Sequence, residues 1–261
     1  MARSVRDLAR LLATQAGHDR RQPLSINGAL DVSGIQYTPD ALQGLRVGWL
    51  GDLGGHLAME DGIVGVCEDA LRAMQNAGAH IEPTAPGFDP QTLWECWLVW
   101  RRALVGPKAA ALLQLPGARD ELKPEALWEY DNSLKLSYMD FQLASQRRTG
   151  FYNHLLQMFE RFDVLALPVA QVWPFPLQER WPQKIGHRTM DTYHRWMEST
   201  IYATLAGMPA ISLPAGFHPN QPWPMGIQLI GKPQGDVALL QVAAAYEAVR
   251  SEWLQRRPAA A

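Results

Sequence analysis

The segment HRTMDTYH carries the residue types closest to a metal site. His187, Asp191 and His194 fall at i, i+4 and i+7, so one helix face would present two imidazoles and a carboxylate. That donor set suits zinc or iron. The same residues also describe a solvated helix N-terminus, where the macrodipole favours Asp. No spacing rule requires three ligands from one helix, and neither a metal nor any other cofactor is assigned.

His56, in GDLGGH, follows a short apolar run, the place where α/β proteins bind ligands. As a lone histidine it reads as a loop residue rather than a general base. Trp94, Trp97 and Trp100 would stack on a flat substrate, but such a stripe is more often core, and core or interface is the preferred reading. Arg148 and His154 read as ordinary surface or edge residues. The inventory of nucleophiles is negative. G-x-S-x-G, S-x-x-K, a P-loop, G-x-G-x-x-G and H-E-x-x-H are all absent. The nine serines are scattered, and none lies in a glycine-rich loop that would supply oxyanion-hole amides. The most suggestive stretch is VAQVWPFPLQERWP, which leaves the end of the apolar run DVLALP. Prolines stiffen it, and Trp173, Phe175 and Trp181 offer apolar surface, either as a pocket wall or as simple packing.

These residues need elements to hold them. MARSVRDLARLL opens with Ser4 and Asp7 in capping-box spacing, and Val5, Leu8 and Leu12, with Leu11 on the same flank, predict an amphipathic helix that must dock. GLRVGWLGD (44–52), a helix over 61–77 with Val66, Ala70, Ala73 and Ala77 on one face, and AHIEP form a βαβ unit, with Gly78 placed as a left-handed cap. Asp89-Pro90 starts a helix, a shorter helical stretch covers 108–115, Lys123-Pro124 opens another, and 137–162 reads as one long helix. DVLALP (163–168) is a strand. Residues 188–206 are predicted helical with Gly207 as cap, AISLPAG and MGIQLIG are strands, and 235–249 is a closing helix before a frayed QRRPAAA tail. The alternation predicts an α/β fold, a mixed β-sheet covered by helices on both faces, without repeats or a long linker.

Composition narrows the function classes. The chain of 261 residues is 47% hydrophobic and 19% charged, a balance that suits a large core or a surface covered by another polypeptide. A net charge of −2 gives no basic stripe for nucleic acid. Cys67 and Cys96 form no C-x-x-C pair and read as core residues compatible with the cytoplasm. No apolar run reaches the roughly 18 residues of a membrane span. The LLA run, with Asp7 among the basic residues, does not make a signal peptide.

Several stretches, in order along nearly the whole chain, together resemble the amidase signature family. MARSVRDLARLLATQAGHD resembles "GPmARtVrDlAlll", LQGLRVGWL with GAHIEP resembles "L+GLRIGv … GaeV", and FERFDVLALPVA resembles "yDvlltPt". TLAGMPAISLPAGF resembles "N-x-x-G-x-P-A-x-s-x-P-x-G", and WPMGIQLIG with DVALLQVAAAYE resembles "lPvGvQlig" and its closing helix. Thr204 stands where the family usually has Asn, so that residue's hydrogen bonds do not carry over. The resemblance implies hydrolysis of a carbon–nitrogen amide bond through a serine acyl-enzyme. It also implies that the catalytic lysine, cis-serine and nucleophilic serine lie in a "GGSSGGS"-like segment upstream of MARSVRDLA. None of these is present: Lys108, Lys123, Lys135, Lys184 and Lys232 do not match the family lysine, and Ser212 sits in a strand motif. The expectation is the C-terminal portion of a single amidase domain over 1–261, with no catalytic residue of its own. Val169, Trp173, Thr204 and Gly207 are expected to approach a small-molecule amide, and a separate N-terminal half is the expected partner. The alternative is a non-catalytic binding or scaffold protein that retains the fold.

Overall fold

An amphipathic helix needs a cap for its first N–H groups and an apolar partner for its buried face. In the computed structural model, which describes residues 1–255 apart from the side chain of Leu254, α1 spans Val5–Gln15. The Ser4 hydroxyl accepts the Asp7 backbone N–H at 3.1 Å, as the S-x-x-D spacing predicts. Val5 and Ala9 are buried, and Leu8 and Leu12 pack half-buried against the core. Leu11 lies on the same flank, lining one groove with Leu8 and Leu12, but remains 39% exposed.

The βαβ unit follows as β1 (Arg46–Trp49), α2 (Ile63–Asn76) and β2 (His80–Pro83), the strands parallel from Arg46↔His80 to Trp49↔Pro83. Val66 and Ala70 of α2 are buried as expected, together with Ile63, Cys67, Leu71 and Met74; Ala73 and Ala77 are half-buried. Helix α3 (Pro90–Leu112) starts on Asp89, whose carboxylate accepts the Gln91 and Thr92 N–H groups. It runs unbroken through Pro107, where the sequence suggests two pieces. The reason is tertiary. Helices α4 (Ala118–Glu121), α5 (Pro124–Ser133) and α6 (Tyr138–Arg161) follow, and α3 packs along α5 and α6. Gly106 allows the close approach, because a Cβ there would overlap Ser133. Packing therefore outweighs the hydrogen bond that Pro107 cannot donate. A full capping box between Ser137 and Asp140 starts α6.

All five residues of β3 (Val164–Pro168) are buried, and the strand lies parallel to β1. The next segment departs from the predicted helix over 188–206. It forms a hairpin of β4 (Lys184–Ile185) and β5 (Arg188–Thr189), an irregular stretch, a 3-10 helix over Arg195–Thr200, and only then α7 (Ile201–Ala206). Here His194, Arg195 and Glu198 are buried and bonded to other elements, so long-range polar contacts override the 3.6-residue spacing. Gly207 caps α7 with φ +71°, and Gly78 follows α2 with φ +100°. Strands β6 (Ala210–Phe217) and β7 (Pro224–Ile230) pair antiparallel, and β7 pairs antiparallel with β3. Helices α8 (Asp236–Val249) and α9 (Glu252–Gln255) end the described chain. Beyond Gln255, the expected frayed tail lies outside the described residues.

The result is the expected α/β architecture: one mixed sheet, order β2-β1-β3-β7-β6, with helices on both faces. On one face Val47, Ala166, Leu213 and Ile227 pack beneath α1, α2 and α8. On the other, Leu165, Leu167 and Ile230 pack beneath α3, α6 and α7. Strands β2 and β6 are the sheet's edges among the described residues.

Candidate functional site

Where β3 leaves the sheet, its continuation meets the start of β7. Val169 N–H donates to the Gly226 carbonyl at 3.1 Å. Beyond it lies a cleft of about 230 Å³, walled by Val169, Ala170, Trp173, Phe175, Trp196 and Met225 among others. The cleft sits at the C-terminal ends of the parallel strands. It is near the point where connections diverge, since β1 leads to β2 on one side and the sheet continues from β3 to β7 on the other.

The wall is fixed by polar groups that apolar runs conceal. Gln171, 1% exposed, donates from its amide to the Ala58 carbonyl at 3.0 Å and accepts the Ser199 N–H at 3.3 Å. Ser199 Oγ donates to the Val169 carbonyl, and Gln228 donates to the Ser199 carbonyl, both at 3.2 Å. Trp173 is held twice: its backbone N–H donates to Glu60 Oε2 at 2.6 Å and its indole N–H to the Asp61 carbonyl at 3.0 Å. His218 meets the Trp173 ring edge to face at 4.9 Å. Sequence reasoning does not single out Glu60, Gln171, Ser199 or Gln228. A signal exists for two of them: Gln171 and Gln228 each interrupt an apolar run, and a buried polar residue there must be bonded.

Of the four expected substrate-facing residues, the cleft brings Val169 and Trp173 together. Thr204 and Gly207 are exposed on α7 and its cap, and neither is among the lining residues. Thr204 Oγ1 donates back to the Thr200 carbonyl at 3.3 Å. Phe175 also lines the cleft. Trp181 does not; it packs behind the wall, in a small cluster with Ile185 and Met190 that also holds Val172, Phe175 and Trp196.

The metal arrangement does not form. His187 sits in the β4–β5 turn, Asp191 binds Arg195, and His194 is buried against Glu129 Oε1 at 2.7 Å, so the three share no helix face. His56 is no free base either, because its Nε2 lies 2.7 Å from Glu198 Oε1. Trp94 is 1% exposed and stacks on Trp97 at 5.2 Å, in agreement with the core reading of that stripe. Arg148 is more than an edge residue. Its Nε donates to the Leu205 carbonyl at 2.6 Å, tying α6 to the end of α7.

A second polar centre buttresses this layer. Glu129 Oε1 accepts from Arg101 Nε at 2.6 Å and Tyr193 OH at 2.7 Å, besides meeting His194. Burial alone would raise the Glu129 carboxyl, but hydrogen bonds from His194 and Tyr193, with the nearby charge of Arg101, bring it below its usual value. Burial depresses the His194 imidazole, against the opposing pull of Glu129. The unfolded chain therefore binds a proton at His194 before the folded one does. The His194 contribution keeps full stability above about pH 6.5 and loses it as pH falls toward the lower folded-state value. Urea midpoints are expected to decline on acidification below about pH 6.5. The decline should shrink in His194→Gln, whose amide can donate to Glu129 without titrating. Identical pH profiles for the two proteins would contradict the assignment.

A family model described as Amidase matches residues 1–240. The chain belongs to the amidase family. An acylamidase of Rhodococcus erythropolis is 30% identical over 263 residues, covering 99% of this chain and 53% of that protein. A glutamyl-tRNA(Gln) amidotransferase subunit from Symbiobacterium thermophilum is 28% identical, covering 99% of this chain and 55% of that one. Among solved structures, a bacterial aryl acylamidase of the amidase signature family superposes with a TM-score of 0.83 at 23% identity, over 98% of this chain and 55% of that one. It shows the same fold. The amidase chain described here thus spans about half the length of the curated relatives it matches. No helix among its described residues is long and apolar enough to cross a membrane.

Proposed function

We propose that residues 1–261 form the C-terminal portion of a single amidase domain, and that the completed domain hydrolyses the carbon–nitrogen bond of a small-molecule amide in the cytoplasm. The observation that carries this reading is one of extent. Amidase character runs through residues 1–240, yet the match reaches only 53% of the acylamidase's length, and no glycine- and serine-rich nucleophile loop occurs in the sequence. In the completed site a serine hydroxyl attacks the amide carbonyl carbon, its proton leaves with the amine, and water cleaves the resulting ester. The serine and its lysine belong to the other portion. This chain contributes half of the sheet, the covering helices and one wall of the acyl pocket, with Val169 and Trp173 in that wall. Thr204 and Gly207 approach from the exposed end of α7.

Two surfaces support a covering polypeptide. Strand β6 has no neighbour on its outer side among the described residues, and Ala210, Ser212 and Pro214 are exposed along it. A groove of about 250 Å³ runs beside it, with Leu8, Leu11, Leu12, Pro209, Ile211 and Leu240 among its lining residues. Unpaired edges and apolar grooves of this kind are normally covered. The pocket wall is tested by Trp173→Leu in the completed enzyme. The ratio of kcat/KM between bulky and small amides is expected to shift by roughly tenfold or more. An unchanged ratio would remove Trp173 from the pocket.

A further inference from the structure

We propose that the cleft at the end of β3 receives an uncharged apolar part of the amide substrate, an aryl or branched alkyl group, and excludes zwitterionic amides such as glutamine. The inference rests on the amide-hydrolase reading and narrows its substrate class. Its first support is the chemistry of the wall. Val169, Ala170, Trp173, Phe175, Trp196 and Met225 carry no ionisable group, and neither do the remaining lining residues. A ligand ammonium or carboxylate placed against this wall would give up water on that side and find no ion-pair partner among the lining residues.

Two polar side chains beside the cleft already have partners, whereas the buried indole N–H of Trp196 has none among the described residues. Glu60 accepts the Trp173 N–H, and His218 lies between the Trp173 and Trp223 rings, at 4.9 and 5.4 Å, while its Nδ1 accepts the Asn220 N–H at 3.1 Å. Size gives a second support. A dry cavity of about 150 Å³ holds benzene, so about 230 Å³ accommodates one ring with a small substituent. Rigidity gives a third. Trp173 is pinned at both its backbone and indole N–H, and Phe175 stands edge to face against Trp196 at 5.4 Å. A preformed aromatic corner of this kind favours flat apolar groups, because little ordering remains to be done on binding.

The test uses the full chain and two probes, neutral acetanilide and zwitterionic glutamine. Indole N–H signals of Trp173 and Trp196, assigned through Trp173→Phe and Trp196→Phe, are followed in ¹H–¹⁵N correlation spectra. Acetanilide is expected to shift both signals saturably, and glutamine at the same concentration to shift neither. Ala170→Glu, which adds a carboxylate at a half-buried wall position, is expected to weaken acetanilide by roughly tenfold or more while the remaining indole signals stay in place. In the completed enzyme, kcat/KM for an anilide should exceed that for glutamine by about a hundredfold. Acetanilide shifts confined to other tryptophans, no shifts at all, or equal response to glutamine would overturn the proposal. Failure here is distinguishable from failure of the hydrolase reading. Binding by the chain needs no nucleophile, so saturable acetanilide shifts without turnover in the completed enzyme would sink the hydrolase reading alone. Turnover of glutamine but not of anilides would sink this inference alone.

Discussion

Purified by itself, the 261-residue chain is expected to leave simple amides unhydrolysed, and supplying a serine–lysine segment should raise turnover by about a millionfold, the typical scale of a nucleophile's loss. The expectation follows from where its serines are. Ser199 is buried and donates to the Val169 carbonyl; Ser133 and Ser145 donate to carbonyls within their own helices. Ser4 and Ser137 cap α1 and α6. Ser25 comes closest to a nucleophile, with its Oγ 3.2 Å from His18 Nδ1. That hydroxyl, however, lies within reach of the Asp19 and Gln22 carbonyls at 3.0 and 2.9 Å, and it sits on an exposed loop. A working nucleophile needs both a base and a group that orients the base, and an exposed loop supplies no buried carboxylate for that purpose. Two of the lysines are engaged elsewhere: Lys232 reaches Asp163 and Lys135 reaches Asn132. The assay compares the chain alone with the chain joined to, or co-expressed with, whatever serine- and glycine-rich reading frame the upstream DNA encodes. Turnover by the chain alone would overturn the proposal. Ligand binding without turnover in either preparation would place the binding-protein reading ahead of it.

Much of this architecture is legible in the sequence because local signals and burial agree. The S-x-x-D at Ser4, the Asp89-Pro90 start and the five-residue VLALP run each become the element they indicate. Two misreadings share one cause, which is long-range contact overriding local chemistry. The separate helical stretch expected from 108 is instead the end of α3, which packs along α5. His187, Asp191 and His194 have helical spacing, yet His194 is drawn to Glu129, 65 residues earlier. The candidate site is half legible for a similar reason. Aromatic residues after a buried strand announce a wall, so Trp173 and Phe175 stand out. Glu60 lies 113 residues before the Trp173 whose N–H it holds, and no local pattern connects them.

Removing Glu198 should have the largest effect on stability. Its carboxylate is 0% exposed and the Arg195 guanidinium facing it at 2.9 Å is 2% exposed, so neither charge can turn to water when the other is lost. Glu198 also meets His56 at 2.7 Å and accepts the Tyr202 hydroxyl at 3.1 Å, while Arg195 additionally holds Asp191 and Gln91. Breaking one side of such a pair costs about 3–5 kcal/mol, and Glu198→Ala is expected to destabilise the folded chain by that amount. Replacing the three most buried members at once, with Arg195→Met, Glu198→Leu and Tyr202→Phe, should recover most of it, because His56, Asp191 and Gln91, which lose partners, all reach solvent. The effect should extend to the cleft. Glu198 is followed by Ser199, which holds the Val169 carbonyl, and it binds the same β1–α2 loop whose Glu60 holds Trp173. Glu198→Ala should therefore move the Trp173 indole signal as well as the denaturation midpoint, while the apolar triple variant restores the midpoint more fully than the signal. A loss below about 1 kcal/mol would show that the pair is solvated and bears no weight in the fold.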